Sequence, residues 1–351
     1  MLKKLLLLTL VLATLFAVGC QTNDDFSELS SPAITASQEA SSVPEPVLYE
    51  NPLTGIKEVE EGKRNLRPVA IMVNNLERAQ QVQCGLNDAD LVFECLVEGG
   101  ISRLMAVFYD VSKADKIGSI RSARYTYVQL AKGLDATYVH CGQDNVYTKP
   151  YMRELGMDNY SITSYSGSSF RENNGLAYEH RLFTTGEKLS AGLAKYDWRT
   201  TSKKDLTPGA FSFAQEPQTF EKVCNKVTYK MSDSYKTTFT YNPETKKYTR
   251  CLGGTPHKDD KTGKETVTDN VFICYAKSPH FDDNYHLRTI LSNGEGLYVS
   301  NGSCTEITWE KGDASDPLKF YDKNGEELKV NPGSSWIAFP TTSNQSKTVI
   351  E

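Results

Sequence analysis

The sequence has little histidine, little tryptophan and no bias of charge. Five histidines and three tryptophans in 351 residues leave few groups for imidazole chemistry or indole anchoring. The 39 Lys+Arg and 44 Asp+Glu give a formal charge of −5, near neutrality at this length. No bulk field therefore draws the chain to nucleic acid or to an anionic bilayer. No Cys-x-x-Cys pair and no Cys/His ligand spacing occurs, so no metal is expected. The glycine pairs carry no phosphate-binding fingerprint, and no cofactor is expected. Beyond the first 20 residues no apolar run reaches the ~20 residues that a helical membrane span needs.

What is present begins at the N-terminus. Lys3 and Lys4 supply positive charge, and Leu5 to Val18 is apolar apart from Thr9 and Thr14. The run is short for a span and fits the apolar region of a signal peptide. Gly19 and then Cys20 follow, a small residue before a cysteine, as at a lipid-acceptor site. Residues 1–20 are thus expected to be a lipoprotein signal peptide. Membrane lipid on Cys20 would then hold the mature chain at the extracytoplasmic face of the cell membrane. Residues 21–46 are rich in Ser, Glu, Ala, Thr and Pro, with little to bury, and read as a disordered tether. Setting Cys20 aside leaves seven cysteines, an odd number, so at least one is a free thiol or bridges to another molecule. Cys95 and Cys274 sit in the apolar runs LVFECLV and NVFICYA and read as buried, inert thiols.

The folded body divides by pattern into two parts. Over residues 47–200, VAIMVNN reads as a buried strand. The segments 91–97 and 104–109 read as two strands joined at Glu98-Gly99-Gly100, or as a short helix running into a strand. A helix is expected from Ser122, closed by Gly133, with a strand at DATYVHCG and another helix at GEKLSAGLAKYDW. Residues 145–175 read as a long polar loop or lid. From 205 to 345 the chain alternates apolar and polar residues with Asn-Pro-Glu-Thr, Asp-Lys-Asn-Gly and Asn-Gly at turns. The expected fold is α+β: an N-terminal α/β-type domain, then a strand-rich antiparallel C-terminal domain.

Two motifs carry chemistry. In Glu98-Gly-Gly-Ile-Ser-Arg103, glycines allow close backbone approach, Arg103 can hold an anion and Glu98 can position it or act as a base. In Ser119-Ile-Arg121-Ser122-Ala-Arg124, two arginines three apart precede a helix, where basic residues oppose the dipole unless an anion is bound. Arg171 and His180 join them as candidate ligand-binding groups. His140 with Asp144 reads more simply as structural, and His257-Lys-Asp-Asp260, which has metal-ligand residue types, reads more simply as a solvated turn.

These residues also resemble a known family. RPVAIMVNN, GLNDADLVFECLVEGGISRLMAVFYD and KIGSIRSARYTY look like the N-terminal domain of the YerB-like lipoproteins. HCGQDN, SFRENN and AYEHRLFTT continue the likeness, and GEGLYVSNGSCTEITW and KVNPGSSWIAF resemble that family's second domain. The resemblance covers about 50 to 345 and implies two domains behind a lipoprotein signal. It supplies no reaction. The first reading is a membrane-anchored protein whose Glu98, Arg103, Arg121, Ser122, Arg124, Arg171 and His180 bind an anionic cell-wall or lipid-linked ligand. The alternatives are a structural or chaperone-like lipoprotein with its arginines in ion pairs, and an envelope hydrolase or phosphotransferase-like enzyme using Glu98 with the arginines.

Overall fold

The computed structural model describes residues 47–203 and 211–351. The expected signal peptide, Cys20 and the tether lie outside them. The core is a single mixed sheet of eleven strands. Its first-half strands are β1 (Val69–Val73), β2 (Leu91–Leu96), β3 (Ser102–Phe108), β4 (Thr137–His140) and β5 (Asn159–Ser161). The second half adds β6 (Lys222–Val223), β10 (Asn270–Cys274), β11 (Asn293–Ser300), β12 (Ser303–Glu310), β13 (Lys319–Tyr321) and β14 (Ser335–Phe339). The order across the sheet is β6-β12-β11-β10-β14-β2-β3-β1-β4-β5, with β13 also pairing β12.

β14 is where the two halves join. It runs parallel to β2, from Ser335 opposite Leu91 to Phe339 opposite Cys95. On its other side it runs parallel to β10. The strand-rich half is thus largely antiparallel, with two parallel pairs, β10 with β14 and Ser212–Phe213 with Lys329–Val330, and its sheet is continuous with that of the first half. Both strands are uninterrupted buried runs, as expected of strands covered on both faces.

A second, six-stranded sheet packs on one face. It contains β7 (Lys226–Lys230), β8 (Lys236–Asn242), β9 (Lys247–Leu252) and β15 (Val349–Ile350). Val227, Tyr229, Phe239 and Tyr248 meet Val92, Leu104, Ala106 and Trp336 there. Besides a single helical turn at Glu77–Gln80, the α-helices among the described residues are α1 (Tyr125–Gly133), α2 (Thr148–Glu154) and α3 (Gly186–Leu193). α1 covers the opposite face, where Tyr127, Val128 and Ala131 pack with Met72, Phe93, Met105 and Tyr138.

The stretch 145–175 is more structured than its composition suggests. It forms α2, the edge strand β5 and the two-residue strand Phe170–Arg171. Asp144 explains the helix: its carboxylate accepts from the backbone N–H of Val146, Tyr147 and Thr148. α1 begins at Tyr125 rather than at Ser122, with Arg124 as its N-cap. All seven cysteines among the described residues are unbridged, and Cys95 and Cys274 are fully buried. Among the described residues no helix is long and apolar enough to cross a membrane.

Candidate functional site

The register sets where charged side chains collect. β10, β14, β2, β1, β4 and β5 all point one way, and β3 runs against them. Their carboxyl ends form one edge of the sheet, the usual place for ligands in open parallel sheets. Arg103 enters from that edge as the second residue of β3. Alternation along β3 turns Ser102 and Leu104 toward the second sheet, and Arg103 and Met105 toward α1. The turn into β3 is made by Gly99 and Gly100, whose φ values of 77° and 72° are left-handed.

Residues 119–124 thread between the ends of β1 and β4. Arg121 N–H donates to Met72 O at 3.0 Å, and Cys141 N–H donates to Arg121 O at 3.0 Å. Ala123 N–H donates to Gly142 O at 2.9 Å. Gly142 has φ 79°, and a Cβ there would meet Ser122 Oγ at 3.3 Å. This stitching places Arg121, Ser122 and Arg124 beside Arg103.

The inner contacts are direct. Arg103 is 6% exposed, and its Nη1 donates to Ser122 O at 2.9 Å. Arg124 Nε donates to Glu98 Oε2 at 2.7 Å, with both groups largely buried. Tyr127 OH donates to Arg103 O and accepts from Cys95 N–H at 2.8 Å, locking α1 to the sheet edge. Glu98 is thus taken up in orienting Arg124. Among the described residues no carboxylate lies within ion-pair distance of Arg103 or Arg121. Burial pulls the Arg103 pKa down, and the positive fields of Arg124 and Arg121 pull it further. Arg121 also has its pKa lowered by burial, opposed next by the negative field of Glu179 and then reinforced by Arg124. Its Nε is buried and makes no hydrogen bond among the described residues.

His180 lies on the flank. It is buried, and its Nδ1 sits 2.7 Å from Asn74 Nδ2. Asn74 Oδ1 accepts from Leu76 N–H, so the amide nitrogen is the donor toward His180. The imidazole proton is therefore on Nε2. Burial, then Arg121, lower the His180 pKa, so the ring is neutral near pH 7. Arg171 stands at the margin: it is exposed, stacks 3.6 Å over Tyr178 and donates to Tyr178 O. The fields of Arg171 and Arg121 both reach the half-buried Cys141. Five of the predicted residues therefore form one inner group, with His180 beside them and Arg171 outermost.

The other candidates are structural. His140 is buried and bonds Gly142 O at 3.0 Å. His257 bonds Thr266 and Gln80 O, and Asp259 accepts Gly85 N–H, so this stretch is a buried brace rather than the solvated turn expected. Among the described residues no three ligating side chains gather for a metal. Clefts elsewhere carry paired charge of both signs. One of about 240 Å³ contains Lys63–Asp110 at 2.7 Å, and one of about 650 Å³ contains Lys323–Glu221 at 3.0 Å.

A second buried constellation was not anticipated. Glu94, fully buried, faces the second sheet and accepts from Ser102 Oγ at 2.6 Å, Tyr229 OH at 2.7 Å and Trp336 Nε1 at 3.1 Å. Arg250, also fully buried, donates to Gln83 Oε1 at 2.9 Å and to Asn75 Oδ1 at 2.8 Å, and lies 4.9 Å from the Trp336 ring. The sequence signal was a carboxylate inside LVFECLV and a guanidinium inside YTRC, charges at strand positions that must be buried.

Comparison with known proteins agrees with the fold. Residues 53–199 match the N-terminal domain, and residues 226–337 the C-terminal domain, of a family described as protein of unknown function DUF3048. The Bacillus subtilis (strain 168) protein YerB, named as a lipoprotein, is 30% identical over 290 residues, covering 82% of this chain and 84% of that protein. The crystal structure of Bacillus subtilis YerB superposes with a TM-score of 0.74 at 25% identity, over 86% of this chain and 99% of that one. With both domain models matched in order, and joined through β14 into one sheet, the chain belongs to the DUF3048 family that includes YerB.

Proposed function

We propose that this protein is a lipid-anchored envelope protein that binds an anionic group at the carboxyl edge of its central sheet. The observation that carries the reading is Arg103, a buried guanidinium that donates to a carbonyl, has no carboxylate in ion-pair distance among the described residues, and feels the fields of Arg124 and Arg121 more strongly than that of Glu98. A buried cation without a counter-ion costs several kcal/mol, and a bound anion offsets that cost. A structural role for the arginines would call for carboxylate partners, and Glu98 serves Arg124 alone by direct contact. A hydrolytic role for Glu98 is disfavoured by the same contact. The lipoprotein name of YerB supports the placement, with Cys20 as the lipidated residue.

The test is a salt-matched panel of multivalent anions scored by thermal stabilisation of the purified chain. Anions should raise the melting temperature of the parent and not that of Arg121→Ala. Without anions Arg121→Ala should melt within a few degrees of the parent, because the Arg121 Nε makes no hydrogen bond and the side chain has no ion pair among the described residues. Equal stabilisation of both proteins would sink the proposal, and a large loss of stability in the variant alone would favour a structural role.

A further inference from the structure

The chemical class of the anion can be narrowed, resting on the reading above. We propose that the site is built for a phosphoryl group carrying two negative charges, in preference to a carboxylate. The first argument is charge. Arg103, Arg121 and Arg124 against Glu98 leave three minus one, a net +2, in the inner group. Outside that group the charges have both signs: Glu179 acts on Arg121 and His180, Arg171 on Cys141, and Arg78 adds a positive field at His180. A monocarboxylate would leave part of that charge uncompensated.

The second argument is the spread of donors. A carboxylate has two oxygens in one plane, and one guanidinium fork engages both of them. Here donors arrive from separate elements. Arg103 comes from β3, and Arg121 and Arg124 from the segment before α1. α1 has nine residues and starts without a side-chain cap; Tyr127 N–H reaches Arg124 O, and the N–H groups of Tyr125 and Thr126 have no intrahelical acceptor. Two features mark this end as more than a helix terminus. One is Arg103, more than nine-tenths buried, whose hydrogen bond among the described residues runs from Nη1 to the carbonyl two residues before the N-cap, with no carboxylate among them in ion-pair distance. The other is the buried, unbonded Arg121 Nε. A tetrahedral phosphoryl group offers three terminal oxygens in three directions, which suits donors converging from several sides.

The third argument is His180. Its proton is fixed on Nε2 by Asn74, and it stands within the field of Arg121. It adds a neutral N–H donor without adding charge, which serves a third oxygen that the net +2 has already neutralised.

The phosphoryl group could be borne by a soluble molecule or by a lipid, and the test separates these sources. Titration calorimetry on the full-length chain would compare inorganic pyrophosphate, a short-chain phosphatidic acid below its micelle concentration, and succinate, with short-chain phosphatidylcholine as the blank. Pyrophosphate, phosphatidic acid or both should bind at least tenfold tighter than succinate. Preference for phosphatidic acid over pyrophosphate would assign the lipid source, and the reverse the soluble one. Arg121→Ala should lose at least tenfold in the tighter phosphoryl ligand, and His180→Phe several-fold in that ligand with little change for succinate. Arg103→Gln serves as a second probe at the inner position, checked for fold by its melt. Succinate binding as tightly as either phosphoryl ligand, through Arg121, would overturn the phosphoryl assignment and leave anion binding standing. No Arg121-dependent binding of any anion would overturn both.

Discussion

Arg250 and Glu94 are fully buried on facing strands of two packed sheets, and both are held by neutral partners. Arg250→Met would keep the stem and its contact with Trp336 while leaving Gln83 Oε1 without its donor. Removing one side of a buried charged hydrogen-bond network costs about 3 kcal/mol. Urea denaturation should show that loss, and a change below about 0.5 kcal/mol, the usual surface-substitution range, would mean the network is not structural. Asp90 makes a pH-dependent prediction. Burial pushes its carboxyl up to about 6, against the bonds from Tyr109 N–H and Asn51. Its folded pKa lies above the unfolded value, so between about pH 4 and 6 the folded chain holds a proton that the unfolded chain has released. Its contribution to stability therefore falls as pH rises through that window, by up to ~3 kcal/mol. The stability of Asp90→Asn relative to the parent should rise by that order between pH 4 and 7. A difference that stays flat with pH would rule this out. At this scale the sequence named the arginines, because Gly-Gly beside Glu and Arg is unusual locally. It could not name Glu94 and Arg250 as partners in one network, because what joins them is a packing between sheets.

Elements were legible where their signal is local. The hairpins β8–β9 and β11–β12 form where alternation meets Asn-Pro-Glu-Thr and Asn301-Gly302. The strands β2 and β3, with their glycine turn, match one of the two readings of 91–109. α2 was missed because Ser, Tyr and Gly dominate the stretch around it, and its stability comes from one residue upstream. Asp144 takes three backbone N–H groups and the Thr148 hydroxyl, so it serves the helix start more fully than an ordinary cap. Asp144→Ala should cost about 1–2 kcal/mol in global stability. Native-state hydrogen exchange should show the amides of α2 opening first. Unchanged protection over 148–154 would show that packing of Tyr151 and Met152, not the cap, holds the helix. The position of α1 matters more for function. Because it begins at Tyr125, its open end faces the same edge as Arg103, and the two arginine motifs become one group.

At the scale of the whole molecule, β14 has consequences that composition and patterning did not reveal. The change from mixed to strand-rich sequence near residue 205 marks where the second family domain follows the first, yet strands from both sides of it share a sheet. β2 is flanked by β3 on one side and β14 on the other, and all six of its residues are buried. Without β14 it would expose a long, flat, apolar edge, the kind that pairs with other chains. Trp336 would also be missing from Glu94, leaving that carboxylate one donor short in an otherwise dry core. Residues 47–203 expressed alone should therefore aggregate or remain incompletely folded. The chain from 47 to 351 should unfold in one cooperative transition, seen at the same denaturant concentration by tryptophan fluorescence and by far-ultraviolet circular dichroism. All three tryptophans bear on the comparison, since Trp198 lies in the first half and Trp309 and Trp336 in the second. Two separated transitions, or a soluble, folded 47–203 fragment, would show that the halves are independent bodies. A single transition would mean that the arginine group, set at the edge of strands from the first half, depends on the second half for its rigidity.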